Sequence, residues 1–179
     1  YQVLQGIATE IGQVIGHLKG GIIGYNAMIE QAQVGFTTLF ENQAQQVMNS
    51  NTALDVHRDR IDYLQMGYTN AADAAEAMIG TLKQFANVTP FRFPELQESA
   101  LRMRAFGFSM QEILREDKNA AEGFSGGIVA VGNAVASLGG GADAFRRITY
   151  ALGQMKQAGR VYQNDMMQLA NAGIGGYKY

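Results

Sequence analysis

The spacing of apolar residues near the start of the chain constrains its fold more than any other feature. Leu4, Ile7, Ile11, Val14, Leu18, Ile22, Tyr25, Ile29, Ala32, Phe36 and Leu39 follow one another in steps of three and four. That spacing places side chains along one stripe of an α-helix and, sustained over several heptads, makes a coiled-coil seam. Unbroken from Gln2 to Met48, such a helix reaches about 70 Å at ~1.5 Å per residue, which is too long for a compact globule. It calls for a hairpin or a helical partner, so a homo-oligomer is the expected state.

The same helix carries Gly12, Gly16, Gly20 and Gly24 at every fourth position. A glycine in a helix interior costs roughly 0.8 to 1 kcal/mol relative to alanine, so four of them need an offset. One reading is a bare stripe at which another backbone approaches closely; the other is a kinked, flexible helix. The candidate helix–helix packing set is therefore Gly12, Gly16, Gly20 and Gly24 with Leu4, Ile7, Ile11, Val14 and Leu18. His17 and Lys19 interrupt the run and argue against a membrane span here.

Asn49-Ser50-Asn51-Thr52 breaks the helix, and Thr52 with Asp55 can cap a new one running to about Met66. Asp55, His57, Arg58, Asp59, Arg60 and Asp62 give that segment a mixed-charge face, expected to be solvent-exposed with local ion pairs. His57 and His17 are the only histidines, so too few ligands converge for a metal site. Asn70 and Asp73 then cap a helix over Ala71–Ala86.

Pro90 and Pro94 are the only prolines. Each holds its preceding residue extended, and Pro94 suits the first turn of a helix whose Glu95 and Glu98 meet the positive end of the dipole. That helix runs to Ala105 and ends at Gly107. Ser109 and Glu112 form a capping box that starts the next at Met110, with Phe108 placed to staple onto Ile113.

Gly123–Ala142 is twenty residues without a charge, seven of them glycine. A buried helix between glycine loops fits it better than a bilayer span, because Asn133, two serines and so many glycines make insertion unfavourable. Gly139-Gly140-Gly141 could seat an anion on free N–H groups, but no Lys-Ser/Thr follows as a P-loop requires; a flexible connector is expected. Phe145, Ile148, Ala151, Leu152 and Met155 stripe a further helix that Gly159 ends, with Arg146, Arg147 and Lys156 off the stripe. A last short helix spans about Gln163 to Asn171 and stops by Gly173.

The 47% hydrophobic and 17% charged content of the 179 residues suits a folded helical protein. A net charge of −2, from 14 basic and 16 acidic residues, supplies no basic surface for sequence-specific nucleic-acid binding. No cysteine is present, which removes disulfides, thiol nucleophiles and Cys-based metal sites. No nucleophile–base pair, paired carboxylates or ligand cluster emerges, so catalytic, cofactor-binding and metal residues are all expected to be none. There is no signal-peptide pattern at the start, and the first and last residues suggest an excerpt of a longer polypeptide.

Several separated motifs carry a resemblance. Thr89-Pro90-Phe91-Arg92-Phe93-Pro94-Glu95-Leu96, Ala105-Phe106-Gly107-Phe108-Ser109, Gly139-Gly140-Gly141, Arg147-Ile148-Thr149-Tyr150-Ala151-Leu152-Gly153-Gln154-Met155-Lys156 and Leu169-Ala170-Asn171-Ala172-Gly173-Ile174 stand in the order and at the spacing found in tape measure proteins of tailed bacteriophages, which this stretch resembles. The resemblance implies a virion structural protein that occupies the tail tube during assembly, sets its length and leaves ahead of the DNA at infection. Copies of itself, the tail tube protein, tail assembly chaperones and tail tip proteins are the implied partners, and the phage tail, made in the bacterial host cytoplasm, is the implied location. Relative to that pattern, Glu41 to Tyr68 looks like inserted helix. The expected organisation is a helical rod or hairpin over 1–69 and a compact, tape-measure-like multi-helix domain with Gly-rich loops over 70–179. The contrasting expectation is a membrane-active or channel-forming helical protein that aids DNA passage, motivated by Gly123–Ala142 and the Gly12–Gly24 stripe.

Overall fold

The computed structural model describes residues 2–49, 61–121, 123–160 and 163–171, with the side chains of 2–20, 164, 165 and 168 outside that description. The described residues are mostly helix with very little strand, so the fold is all-α, a long N-terminal helix joined to a compact set of shorter ones. The elements are α1 (Gln2–Asn49), α2 (Asp62–Gln65), α3 (Ala71–Val88), α4 (Phe93–Ala105), α5 (Met110–Ile113), β1 (Arg115–Glu116), β2 (Phe124–Ser125), α6 (Gly127–Ser137), α7 (Ala142–Ala158) and α8 (Gln163–Asn171).

The local signals act as their chemistry requires. Asn70 accepts from the Asp73 N–H at 2.9 Å to start α3. Pro94 lies in the first turn of α4, and the Glu95 carboxylate accepts from the Arg92 N–H. Ser109 and Glu112 close their capping box reciprocally, at 3.1 and 2.8 Å. The helix it opens is a single turn, because Leu114 turns extended and the chain enters a two-residue antiparallel pairing of Arg115 with Ser125 and Glu116 with Phe124. Nothing in the hydrophobic spacing announces so short a ladder.

Two helix ends share one device. Gly107 (φ +87°) and Gly139 (φ +67°) are left-handed, and each is followed by a six-to-one bond, Phe108 N–H to Met103 C=O at 3.1 Å and Gly140 N–H to Val135 C=O at 2.9 Å. These are Schellman closures, which satisfy otherwise orphaned carbonyls. The Gly139–Gly141 segment is thus an ordered helix stop, not the flexible connector expected of it. It is also tight: a Cβ on Gly140 would lie 3.1 Å from Val135 Cγ1 and 3.0 Å from Ala144 Cβ.

α4 is the central helix. Phe93, Leu96, Gln97, Ser99, Ala100, Met103 and Arg104 are buried on it, which is more than one face and requires neighbours on several sides. α6 rests its first turn on Met103, and α7 seats the Phe106 ring against Gly153, where a Cβ would overlap the ring. The uncharged stretch around α6 is a buried helix of 11 residues, with Ile128, Val131, Gly132 and Val135 inside. Phe145, Ile148 and Ala151 of α7 are buried as their spacing predicts.

α1 packs between α3 and α4. Gln33 Nε2 donates to Ala72 C=O at the start of α3, whereas Lys83, farther along α3, lies over the Tyr25 ring; α1 and α3 therefore run antiparallel as a helical hairpin. Tyr25 meets Phe93, and Gly35 meets Leu101, so α4 runs in the same sense as α1. Ala32, Phe36, Phe40 and Ala44 belong to the same continuous core as Ala74, Met78, Leu82, Phe85, Leu96 and Met103.

Candidate functional site

The long helix divides by what covers it. From Ile29 onward one stripe is enclosed: Ala32, Phe36 and Phe40 are fully buried and Ala44 nearly so, with Ile29 and Leu39 half-buried beside them. From residue 21 to 27 α1 is exposed, Ile22 at 59% and Ile23 at 69%. The apolar spacing thus runs off the end of the structure that covers it. The buried set also differs from a single coiled-coil seam, since it steps by four from Ala32 to Ala44. A helix lying in the groove of two others presents a wide apolar face, which brings both Leu39 and Phe40 inward.

Of the candidate packing residues, Gly24 is described and open, with nothing within 4 Å of a Cβ built on it. The surroundings of Gly12, Gly16, Gly20, Leu4, Ile7, Ile11, Val14 and Leu18 lie outside the described residues. The helix expected over Thr52–Met66 is described only from Ile61, where α2 forms one turn. Its charged residues Asp55 to Arg60 also lie outside.

Asp62 corrects the expectation of an exposed mixed-charge face, because its carboxylate is buried. Oδ2 accepts from Arg104 Nη1 at 2.7 Å and from the Met110 N–H at 2.8 Å. Arg104, also buried, donates from Nη1 to Phe108 C=O at 2.6 Å and from Nη2 to Gln43 Oε1 at 3.3 Å, and its guanidinium sits 4.5 Å from the Phe40 ring centroid. One ion pair therefore joins four segments: α1 through Phe40 and Gln43, α2 through Asp62, the end of α4, and the start of α5. Burial pushes the Arg104 guanidinium below its usual value, opposed by the charge and hydrogen bond of Asp62. Removing one partner of such a pair strands a buried charge, whereas the pair itself adds little net stability and instead selects one arrangement.

Sequence reading missed this node. Its one local signal is Arg104 falling one helical turn after Ala100 and beside Met103 on the inward side of α4. A cation at such a position demands a carboxylate, but nothing in the spacing says that the carboxylate is 42 residues away.

Two open clefts flank these helices. One, beside the node, is lined by Leu39, Asn42, Gln43, Gln46, Arg104, Ala105 and Gly107. In the other, Glu98 pairs with Arg102 and Arg146, Arg146 also pairs with Asp143, and Arg102 lies over Tyr150. The Arg146 hydrogen bond and charge hold the Asp143 carboxyl below its usual range. Each carboxylate there is tied to an arginine, which leaves neither placed as a free acid or base against the other. Elsewhere Glu112 is raised by burial but brought below its usual value by Lys156 and the Ser109 N–H.

No protein-family model, curated protein or solved structure matches this chain. Among the described residues no group of three or more His, Cys, Asp or Glu could hold a metal ion, and no helix is long and apolar enough to cross a membrane. The candidate functional element is α1, exposed over residues 21–27 and docked from Met28 onward, where Phe40 and Gln43 meet the buried Asp62–Arg104 pair.

Proposed function

We propose that this chain is a segment of a bacteriophage tail tape measure protein, a virion structural component that works by extent and makes or breaks no bond. The observation that carries the reading is α1, an unbroken helix of 48 residues from Gln2 to Asn49, taken with the ordered motifs between Thr89 and Ile174 that resemble that family. A helix converts a residue count into a distance at about 1.5 Å per residue, which is the physical property a length gauge needs. The compact helices from α3 to α7 then form a folded body carried on the rod.

Copies of this chain, the tail tube protein, assembly chaperones and tail tip proteins are the partners this role requires. Its place is the phage tail. The test is to delete whole heptads between Leu4 and Gly24 in the full-length protein, leaving the docked part of α1 intact, and to measure tails by electron microscopy. Shortened tails support metering; tails of unchanged length reject it for this segment.

A further inference from the structure

The cleft at the end of α4 has a recessed cation among its walls. It holds about 330 Å³, with Asn42, Gln43 and Gln46 of α1 on one side and Arg104 on the other, at the small end of the range of ligand pockets. Arg104 lines it although only 3% of its side chain is exposed, so a group that reaches the guanidinium from solvent must be slender. Nη1 uses both its hydrogens, on Asp62 Oδ2 and on Phe108 C=O. Nη2 makes one bond, to Gln43 Oε1 at a long 3.3 Å, and the buried Nε has no hydrogen-bond partner. The Nε–Nη2 edge of the fork is therefore the least satisfied part of a buried group. Such an edge presents two N–H donors to a planar acceptor, and a buried donor without an acceptor is destabilising.

Charge decides what suits that edge. Asp62, at 2.7 Å, already neutralises Arg104, and the Glu112 charge acts on it as well. An entering anion would stand beside like charge, and an entering cation would face the guanidinium. A neutral carbonyl meets neither objection, and a carboxamide oxygen has two lone pairs for the two donors. Asn42, Gln43 and Gln46 offer both N–H and C=O groups, so a ligand that also donates is matched best. We infer that this cleft is a carboxamide pocket for a glutamine side chain of a partner polypeptide. The glutamine C=O takes the Nε–Nη2 edge of Arg104 in place of Gln43, and its NH2 donates to the carboxamides of Asn42 and Gln46. A main chain is too broad for so recessed a donor, whereas a glutamine side chain has the reach. The pocket owes nothing to the exposed part of α1 and is tested without a phage, so it and the tail reading can fail separately.

Heteronuclear NMR of this chain reads the pocket directly, because the Arg104 Nε–H and the NH2 groups of Asn42, Gln43 and Gln46 give their own signals. Propionamide should move them saturably, with a Kd on the order of 10 mM, as suits so small a ligand. Propionate, its charged counterpart of similar shape, should bind roughly fivefold more weakly or worse. A blocked Gly-Gln-Gly peptide should move the same signals, and a blocked Gly-Leu-Gly peptide should not. Asn42→Leu with Gln46→Leu, both at exposed positions, should weaken propionamide by about fivefold or more and leave the signals of α6 and α7 in place. Propionate binding as well as propionamide overturns the inference. So does failure of the glutamine peptide where free propionamide binds, or a titration that moves none of these signals, which leaves an ordered water as the acceptor of Nε. If the double variant fails to fold, the ligand series decides alone.

Discussion

α1 and α6 are both helices rich in glycine, and their glycines do opposite things. In α6, a Cβ on Gly132 would lie 3.2 Å from Phe91 Cε2, and one on Gly127 would lie 2.6 Å from Met103 Cε and 3.2 Å from the Glu112 carbonyl oxygen. Those glycines let large side chains approach the helix axis. Among the described glycines of α1, Gly21 and Gly24 meet nothing within 4 Å, and Gly35, where α1 is docked, lies against Leu101, with a Cβ there at 3.1 Å. A packed glycine is a contact and an open one is a backbone weakness, and the residue type alone does not distinguish them. On one helix the open glycines mark where the body ends.

The largest expected effect tests the docked half of α1. Phe36→Ala removes a fully buried ring and should cost about 3–5 kcal/mol, read by urea melts followed by circular dichroism; a loss below about 1 kcal/mol would mean α1 does not share the core. Arg104→Ala should cost a similar ~3–5 kcal/mol, because it leaves the buried Asp62 carboxylate without its cation. Gly132→Ala sets the α6 side of the contrast. Overpacking against Phe91 should destabilise by about 1–3 kcal/mol, and a neutral result would show that the ring has room to shift.

Gly24→Ala should go the other way and stabilise by roughly 0.8 to 1 kcal/mol, since nothing opposes the new methyl group. Destabilisation there would place a partner against the open glycine. The smallest effect is acid-dependent. Glu112 is held below its usual value by Lys156 and the Ser109 N–H, opposed by burial, so its contribution is present above the ordinary carboxylate range near 4.5 and lost as pH falls through its lower folded value. Because the pair is largely exposed, the effect should stay under ~1 kcal/mol. Glu112→Gln should lower the melting temperature at pH 6 and leave it little changed at pH 3.

The helices that could be read in advance are those with strong local chemistry. Asn70 with Asp73, Pro94 with Glu95, Ser109 with Glu112, and Gly107 and Gly159 each mark a boundary within the reach of one or two turns. The two-residue ladder after Leu114 could not be read, because it depends on Gly126 (φ +119°) folding the chain back until a Cβ there would touch the Ile113 carbonyl. The Asp62–Arg104 node was illegible for a related reason: its members are distant in sequence, and a charged residue in a polar run gives no sign of burial. The α1 seam was readable as a stripe, but the stripe does not say which part the chain covers itself.

The central claim is that α1 acts through its length. Its most direct test is a series of full-length proteins with seven residues removed, seven added and fourteen added between Leu4 and Gly24, with tail lengths measured by electron microscopy. The account predicts tails that change in proportion, by about 1.5 Å per residue. Tails that stay at one length across the series contradict it.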